Sequence, residues 1–312
     1  MRTLAAIAGG WLLITPLGSA AQPSTEETAN SADIVVQGVK SRKQRVRTFA
    51  KTLTPARMDD QFGRFSNPVC PAVIGLPLNE GEAIADRFRA VAKAARVPLA
   101  AKPCVANILV IAVKNKRIFI ESLPRFTPGL VHGLNRNRIA ALARSASPVS
   151  AWQVVGILDE NGLAAANSEI DAGNPTSAVP TVASNSASRL TKATQAGFVV
   201  SVLVVERGAL ARMTTRQFAD YAAMRTLAPI DPLSNRHALA GNPNADLPAP
   251  SILALFDKNL PPAEAPPSVT WWDFAFLRAL YEIQMNKAAI FQRGEIQSRM
   301  TRYLAKVPAD EL

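Results

Sequence analysis

The side chains that most often carry catalysis are sparse in this chain and form no known motif. His132 and His237 are the only histidines, and they lie far apart in loop-like segments. The two histidines and Asp231 would have to meet in space to hold a metal. Their spacing in the sequence matches no known zinc motif. Gly-x-Ser-x-Gly, Ser-x-x-Lys, glycine-rich phosphate-loop and EF-hand patterns are also absent from the sequence. We therefore predict no catalytic residue, no metal site and no cofactor.

Cys70 and Cys104 are the only cysteines, and their spacing is not the Cys-x-x-Cys of a redox-active pair. Both lie beside apolar segments, residues 69–76 and 105–113, that are predicted strands. In an oxidising compartment two such cysteines are expected to form a disulfide. We predict a structural bridge that ties the starts of two neighbouring strands, with a redox-active pair as the functional alternative.

Positive charge is concentrated near the N-terminus of a chain whose formal net charge is +11. The cations of this basic segment are Lys40, Arg42, Lys43, Arg45, Arg47, Lys51 and Arg57. Such a run binds anionic lipid, lipopolysaccharide phosphates or nucleic acid through sequence-independent attraction, or is a solvated helix or arm that keeps the protein soluble. Phe49 is its only aromatic residue and no nucleic-acid-binding module is recognisable. We expect no nucleic-acid partner and retain an anionic envelope surface as a candidate partner.

The elements that would position a functional site lie within residues 197–231. Residues 198–206 are dense in β-branched side chains, without proline or interior glycine, which predicts a strand covered on both faces. Thr214 fits a helix N-cap, and Gln217 completes a capping box. Helical apolar spacing follows and ends before Pro229, because proline cannot continue a helix. A buried strand that leads into a core helix is therefore predicted.

This strand and helix resemble the core of a metzincin-type zinc peptidase that has lost its zinc chemistry. In those enzymes the helix reads His-Glu-x-x-His-x-x-Gly-x-x-His, with two histidines on one face and the glutamate as general base. The resemblance places Tyr221 and Arg225 at the helix histidines. It places Ala222 at the glutamate and Asp231 at the third ligand. A catalytic zinc needs three protein ligands, and Arg225 puts a fixed cation where the metal belongs, so the resemblance implies a metal-free helix.

Other segments are similar to an uncharacterised family of exported, often lipoprotein-like bacterial proteins with a zincin-like layout. They are residues 248–257, residues 268–281 and the strand-helix-strand order of residues 69–113. The similarity is one of element order rather than of specific residues. It implies an α+β fold, a mixed β-sheet with covering helices.

The alternative to this resemblance is an unrelated α+β fold in which Tyr221 and Arg225 are ordinary residues of a half-buried helix. A helix is predicted over residues 271–281, because Thr270 fits its N-cap and Asp273 stands at the capping-box position. One stripe of that helix comprises Trp271, Phe274, Leu277, Arg278 and Tyr281. It is most simply core, whereas exposed tryptophans would form a sugar or lipid platform.

The chain begins with the features of an export signal. Arg2 precedes an apolar run, and small residues follow before a cleavage site near Ala20 or Ala21, which predicts a signal peptide over residues 1–21. No later segment reaches about 18 consecutive apolar residues, so we expect no membrane span in the mature chain. No cysteine directly follows the apolar run, so we expect no lipid anchor of the usual bacterial kind. We expect a soluble periplasmic or secreted protein.

The predicted domain organisation follows from composition. Residues 22–61 hold a disordered leader and the basic segment. A single α+β domain spans residues 62–306, and residues 307–312 form a C-terminal tail. Within the domain, residues 161–188 are rich in small and polar residues and predict a flexible surface insertion.

We therefore predict an exported, non-catalytic, zincin-like binding or interaction protein of unknown ligand. Tyr221, Arg225 and Asp231 would line the cleft left by the metal, with the Arg225 guanidinium binding a carboxylate or phosphate. Otherwise Arg225 and Asp231 pair with each other and side chains fill the cleft. One alternative is a hydrolase with an unrecognised site, which requires a histidine beside a carboxylate in an open pocket. The other is an envelope-surface protein that associates with anionic lipid or lipopolysaccharide through its basic segment.

Overall fold

The computed structural model describes residues 31–54, 61–163, 166–168, 179–181, 191–230, 249–257, 265–308 and 311. The predicted signal peptide at residues 1–21 lies outside the described residues, as do Arg57, Asp231 and His237. Lys40 is described by its backbone alone. Residues Lys40–Leu312 form one compact unit.

Four of the strands build a mixed sheet. The described strands are β1 (Pro71–Ile74), β2 (Ile108–Val113), β3 (Val149–Asp159), β4 (Ala166–Ser168), β5 (Val179–Thr181) and β6 (Thr194–Glu206). The sheet order is β1-β2-β6-β3. The first three strands in this order are parallel, and β3 pairs with β6 antiparallel, with a register shift between Val154 and Val155. The predicted α+β class with a mixed sheet is confirmed.

Helices cover this sheet. They are α1 (Ser31–Leu53), α2 (Leu78–Ala94), α3 (Lys116–Phe126), α4 (Arg136–Ala143), α5 (Arg207–Leu210), α6 (Thr215–Leu227), α7 (Trp271–Glu282) and α8 (Ala289–Leu304). Two short 3₁₀ helices span Pro128–Val131 and Ile252–Phe256. The predicted β-α-β unit is present, because α2 connects the parallel strands β1 and β2.

The central strand β6 is buried on both faces, as predicted. Leu203 and Val205 lie in the larger apolar core, with residues of α1, α2, α6, α7 and α8. Val202 and Val204 lie in a smaller core on the opposite face, with residues of α3 and α4. Successive strand residues point to opposite faces, so one β-branched run supplies both cores.

Helix α6 lies at the centre of the larger core. Thr214 and Gln217 form the predicted capping box, and the helix ends at Ala228, whose backbone is extended before Pro229. Every residue from Phe218 to Leu227 is buried. An almost uniformly buried helix has no solvent face, so each charged side chain on it must find a partner or a site.

The predicted disulfide is confirmed. Cys70 and Cys104 are bonded, with their Cα atoms 6.1 Å apart. Cys70 directly precedes β1 and Cys104 precedes β2, so the bond joins the starts of two neighbouring strands, as expected.

The N-terminal boundary of the domain differs from the prediction. We expected the folded domain to begin near Phe62 and residues 22–61 to hold a disordered leader and the basic segment. Residues of α1 are instead buried in the larger core, namely Val46, Phe49, Ala50 and Leu53. These apolar residues have helical spacing. The prediction missed it because it was based on the many cations that stand between them in the sequence.

Two further expectations are corrected. Trp271 was assigned to the buried stripe of α7, yet it is 45% exposed and its Nε1 donates to Glu311 Oε2 over 3.2 Å. Its neighbour Trp272 is buried instead, whereas Leu277 and Tyr281 of the predicted stripe are buried as expected. Within residues 161–188, where we expected a flexible surface insertion, the short strands β4 and β5 pair antiparallel.

Candidate functional site

Arg225 is a buried cation in the last turn of α6. Only 9% of its surface is exposed. Its Nε is buried without a hydrogen-bond partner, and no hydrogen bond or ion pair joins its guanidinium to any residue that the structure describes. Burying an unpaired charge is costly, so this arginine does not contribute to stability as a paired residue would.

The backbone around Arg225 is held by two side chains from other elements. Gln153 of β3 donates its Nε2 to Arg225 O over 2.9 Å and to Ala228 O over 3.2 Å. The Tyr281 hydroxyl of α7 donates to Leu227 O over 3.1 Å. These carbonyls belong to the helix end, where intrahelical donors are lacking. The position of the Arg225 main chain is therefore fixed from both the sheet and α7.

Tyr221 lies one turn before Arg225, and residues four apart share a helix face. It is 5% exposed. Its ring packs edge-on against Phe256 at a centroid distance of 4.8 Å. Tyr221 and Arg225 therefore lie on the same face of α6, whereas Asp231 lies outside the described residues. The three-residue cleft stays a prediction.

Asp220, which the sequence reading missed, is the other buried charge of α6. Arg87 of α2 donates to its two carboxylate oxygens over 2.6 and 2.8 Å. The Ser268 hydroxyl and the Val269 N–H donate to Oδ2 over 2.6 and 2.9 Å. The hydrogen bonds with Asp220 raise the pKa of Arg87. We call these four residues the Asp220 network. The signal available in the sequence was a lone acid among apolar helix positions.

Asp273 is a third buried charge, at the predicted capping-box position of α7. Its carboxylate accepts from Ser251 Oγ over 2.5 Å, from Ile252 N over 2.8 Å and from Thr270 N over 3.0 Å. Burial raises the pKa of Asp273 to about 6, against the opposing effect of these hydrogen bonds. This residue joins the start of α7 to the Ile252–Phe256 3₁₀ helix.

Lys116 is a buried lysine whose side chain lies close to two serines. Its Nζ lies 3.0 Å from Ser145 Oγ and 3.2 Å from Ser150 Oγ. The same Nζ also donates to the carbonyl oxygens of Ser145, Ser147 and Leu142. Carbonyl oxygens only accept hydrogen bonds, so Nζ is the donor in these three contacts, whereas a general base must present a lone pair to the serine hydroxyl. Lys116 is best explained as a cation that organises the chain between α4 and β3.

The metal-ligating residues show no cluster in the described part of the chain. His132 is exposed and directly follows the Pro128–Val131 3₁₀ helix. No group of three or more histidine, cysteine, aspartate or glutamate residues able to hold a metal occurs among the described residues.

The basic segment divides into packed and exposed cations. Arg42 donates to Leu304 O over 3.5 Å, and the Arg45 guanidinium lies 4.9 Å from the centroid of the Trp272 ring. The exposed cations Lys43, Arg47 and Lys51 are spaced four residues apart and so follow one side of α1, next to its buried stripe. We call these three residues the basic stripe.

Comparisons with known proteins add no relative. No protein-family model matches the chain, and no significant match was found among curated proteins or solved structures. None of the helices in the described residues is both long and apolar enough to cross a membrane.

Proposed function

We propose that the protein is an exported, non-catalytic binding protein that holds an anionic group of its ligand on Arg225. The observation that carries this proposal is the buried guanidinium of Arg225, which has no partner among the described residues. The disulfide and the predicted signal peptide support export, because disulfides persist in oxidising compartments.

The chemistry of the ligand follows from the guanidinium. Its planar fork matches a carboxylate or a phosphate through two parallel hydrogen bonds, and such charge-assisted bonds are stronger than neutral ones. A ligand anion would remove the cost of the buried unpaired charge, so its binding and the stability of the fold are linked.

The zincin-like origin of the site belongs to the same proposal. It is supported by the order of strand β6 and capped helix α6, and by the common face of Tyr221 and Arg225. The zinc-ligand positions of the helix would then have been reused for an anion. Elemental analysis of the untagged mature protein should find no zinc after incubation with micromolar zinc. Stoichiometric zinc, lost on replacing Asp231 or His237, would refute a metal-free site.

The binding proposal is tested by titrating the mature protein with succinate and with inorganic phosphate in a calorimeter. We expect at least one of the two to bind the wild type and to bind Arg225→Gln at least about tenfold more weakly. Arg89→Gln is the matched control, because this half-buried arginine is satisfied by Ala100 O over 2.6 Å. Equal affinity of Arg225→Gln and wild type, or no heat with either anion, would contradict the proposal.

A second candidate function, association with an anionic envelope surface, is favoured by the basic stripe. Its three cations are exposed on a helix that is anchored in the core by Phe49 and Leu53. Co-sedimentation with phosphatidylglycerol vesicles should fall steeply between about 0.05 and 0.5 M salt, because the attraction is screened. The triple change of the stripe to glutamine should abolish it.

The control for this test removes the same charge elsewhere. The chain offers three other exposed arginines on and after α5, far from α1 in the sequence. They are Arg207, Arg212 and Arg216. Their triple change to glutamine should leave vesicle binding intact. If both triple variants lose binding alike, the attraction reflects net charge and the stripe has no special role.

A further inference from the structure

A polar cleft lies beside the C-terminal end of α7, and Arg225 is not among its lining residues. Its volume is ≈ 540 Å³, which falls in the range of small-molecule sites. Its polar and aromatic lining includes Arg64, Ser66, Arg96, Gln195, Tyr281 and Asn286. The cleft therefore has a different central cation from the site proposed above, although Tyr281 both lines it and holds the backbone beside Arg225.

Arg64 is the central cation of this cleft. Its guanidinium lies 5.4 Å from the centroid of the Tyr281 ring, and its Nη1 donates to Leu280 O over 3.3 Å. Its Nε is buried without a hydrogen-bond partner, and no carboxylate in the described residues pairs with it. Burial lowers the pKa of Arg64, although an arginine stays charged at any physiological pH. A cation in this state has donors left for a ligand anion.

The walls of the cleft are held rigidly by side chains that bridge separate segments. Gln195 donates its Nε2 to Asp159 O over 2.8 Å and to Glu160 O over 2.9 Å. Gln61 in turn donates to Thr194 O over 2.8 Å and to Met285 O over 3.0 Å. A site whose shape is fixed before binding loses less conformational entropy when the ligand arrives.

Arg96 brings a second guanidinium to the cleft. It has a φ of 61°, a left-handed conformation that residues other than glycine seldom adopt. Its guanidinium makes an exposed ion pair with Glu282, at 3.5 Å. Among the described residues that line the cleft, Glu160 is the one acid, so arginines outnumber acids there. The cleft favours a ligand of negative charge.

We propose that this cleft binds a small polyhydroxylated molecule that carries a carboxylate or a phosphate. Arg64 holds the anion, and the hydroxyl and amide groups of Ser66, Asn161 and Asn286 form hydrogen bonds with the ligand hydroxyls. The volume accommodates a sugar phosphate or a sugar acid rather than a bare ion.

The test is calorimetric titration with glucose 6-phosphate, glucuronate and glucose. At least one anionic sugar should bind, and glucose should bind at least about tenfold more weakly, because it lacks the charge-assisted bonds. Arg64→Gln should weaken binding of the anionic sugar about tenfold or more. Arg225→Gln should leave it unchanged, so a failure here and a failure of the Arg225 site remain distinguishable.

Two further variants keep the test decisive if Arg64→Gln does not fold. Ser66→Trp fills the cleft while leaving the residue at position 64 unchanged, and it should abolish binding. Arg96→Gln should weaken it, whereas Lys93→Gln, which removes an exposed charge of α2 outside the cleft, should not. The proposal is overturned if neither anionic sugar binds, or if the cleft-filling and cleft-charge variants bind as the wild type does.

Discussion

Asp220 and Arg225 are buried charges on the same helix, yet their surroundings are opposite. Asp220 is fully buried and accepts hydrogen bonds from Arg87, Ser268 and Val269. Arg225 is almost as buried and has no partner for its guanidinium among the described residues. A charge whose partners all come from the protein holds the fold together. A charge buried without them is the one that the proposed ligand anion would pair.

The Asp220 network joins three parts of the chain. Arg87 belongs to α2, Asp220 to α6, and Ser268 and Val269 precede α7. Asp273 makes a comparable junction between α7 and the Ile252–Phe256 3₁₀ helix. The two acids fix the positions of helices around the larger core, and Arg225 lies on one of these helices.

The largest effect should come from breaking the Asp220 network. Asp220→Ala leaves Arg87, whose side chain is only 29% exposed, without its partner. We expect a loss of about 3–5 kcal/mol in the free energy of unfolding, as for other broken buried pairs. Urea denaturation measures it. Asp220→Leu combined with Arg87→Met should recover much of the loss, and a single-variant loss below about 1 kcal/mol would show that the network is not structural.

A smaller, pH-dependent effect should come from Asp273. Because burial raises its folded pKa from 3.8 to about 6, the folded state binds the proton more tightly than the unfolded state. The stabilisation is complete below about pH 4 and is lost as the pH rises through 6. Relative to Asp273→Asn, the wild type should lose on the order of 2–3 kcal/mol between pH 4 and 7. Urea midpoints at half-unit pH steps test this, and parallel pH profiles of the two proteins would refute it.

The smallest effect should come from Arg225, and its sign should be opposite to that of Asp220. Arg225→Met replaces an unpaired buried charge by an apolar chain of similar length. We expect the free energy of unfolding to rise by about 1–2 kcal/mol in the absence of ligand. Thermal and urea unfolding measure this. A destabilisation would mean that Arg225 has a structural partner, and the contrast between the two charges would disappear.

Much of the local structure around the site was predictable from sequence. The β-branched run before Glu206 predicted β6, and Thr214 with Gln217 predicted the start of α6, because propensity and capping act within a few residues. The disulfide was predictable because the chain has only two cysteines. Trp271 and Trp272 were harder to assign, since adjacent aromatic residues leave the rotation of a helix undetermined by one position.

The function of a buried charge was not predictable in the same way. Sequence placed Tyr221 and Arg225 on one helix face but gave no sign that Asp220 was the paired charge of that helix. The partner of Asp220, Arg87, is 133 positions away in the chain. Arg64 likewise has no motif around it, and only the cleft beside α7 makes it a candidate.

The sequence by itself determined the α+β class, the buried strand and capped helix at the centre, and the disulfide. These depend on residue type, on periodicity and on caps that act between near neighbours. The tertiary structure alone decided that α1 belongs to the core, that Asp220 is paired whereas Arg225 has no partner among the described residues, and that Arg64 faces a cleft. Pairing and burial depend on which distant segments meet, and that is a property of the packed chain rather than of any stretch within it.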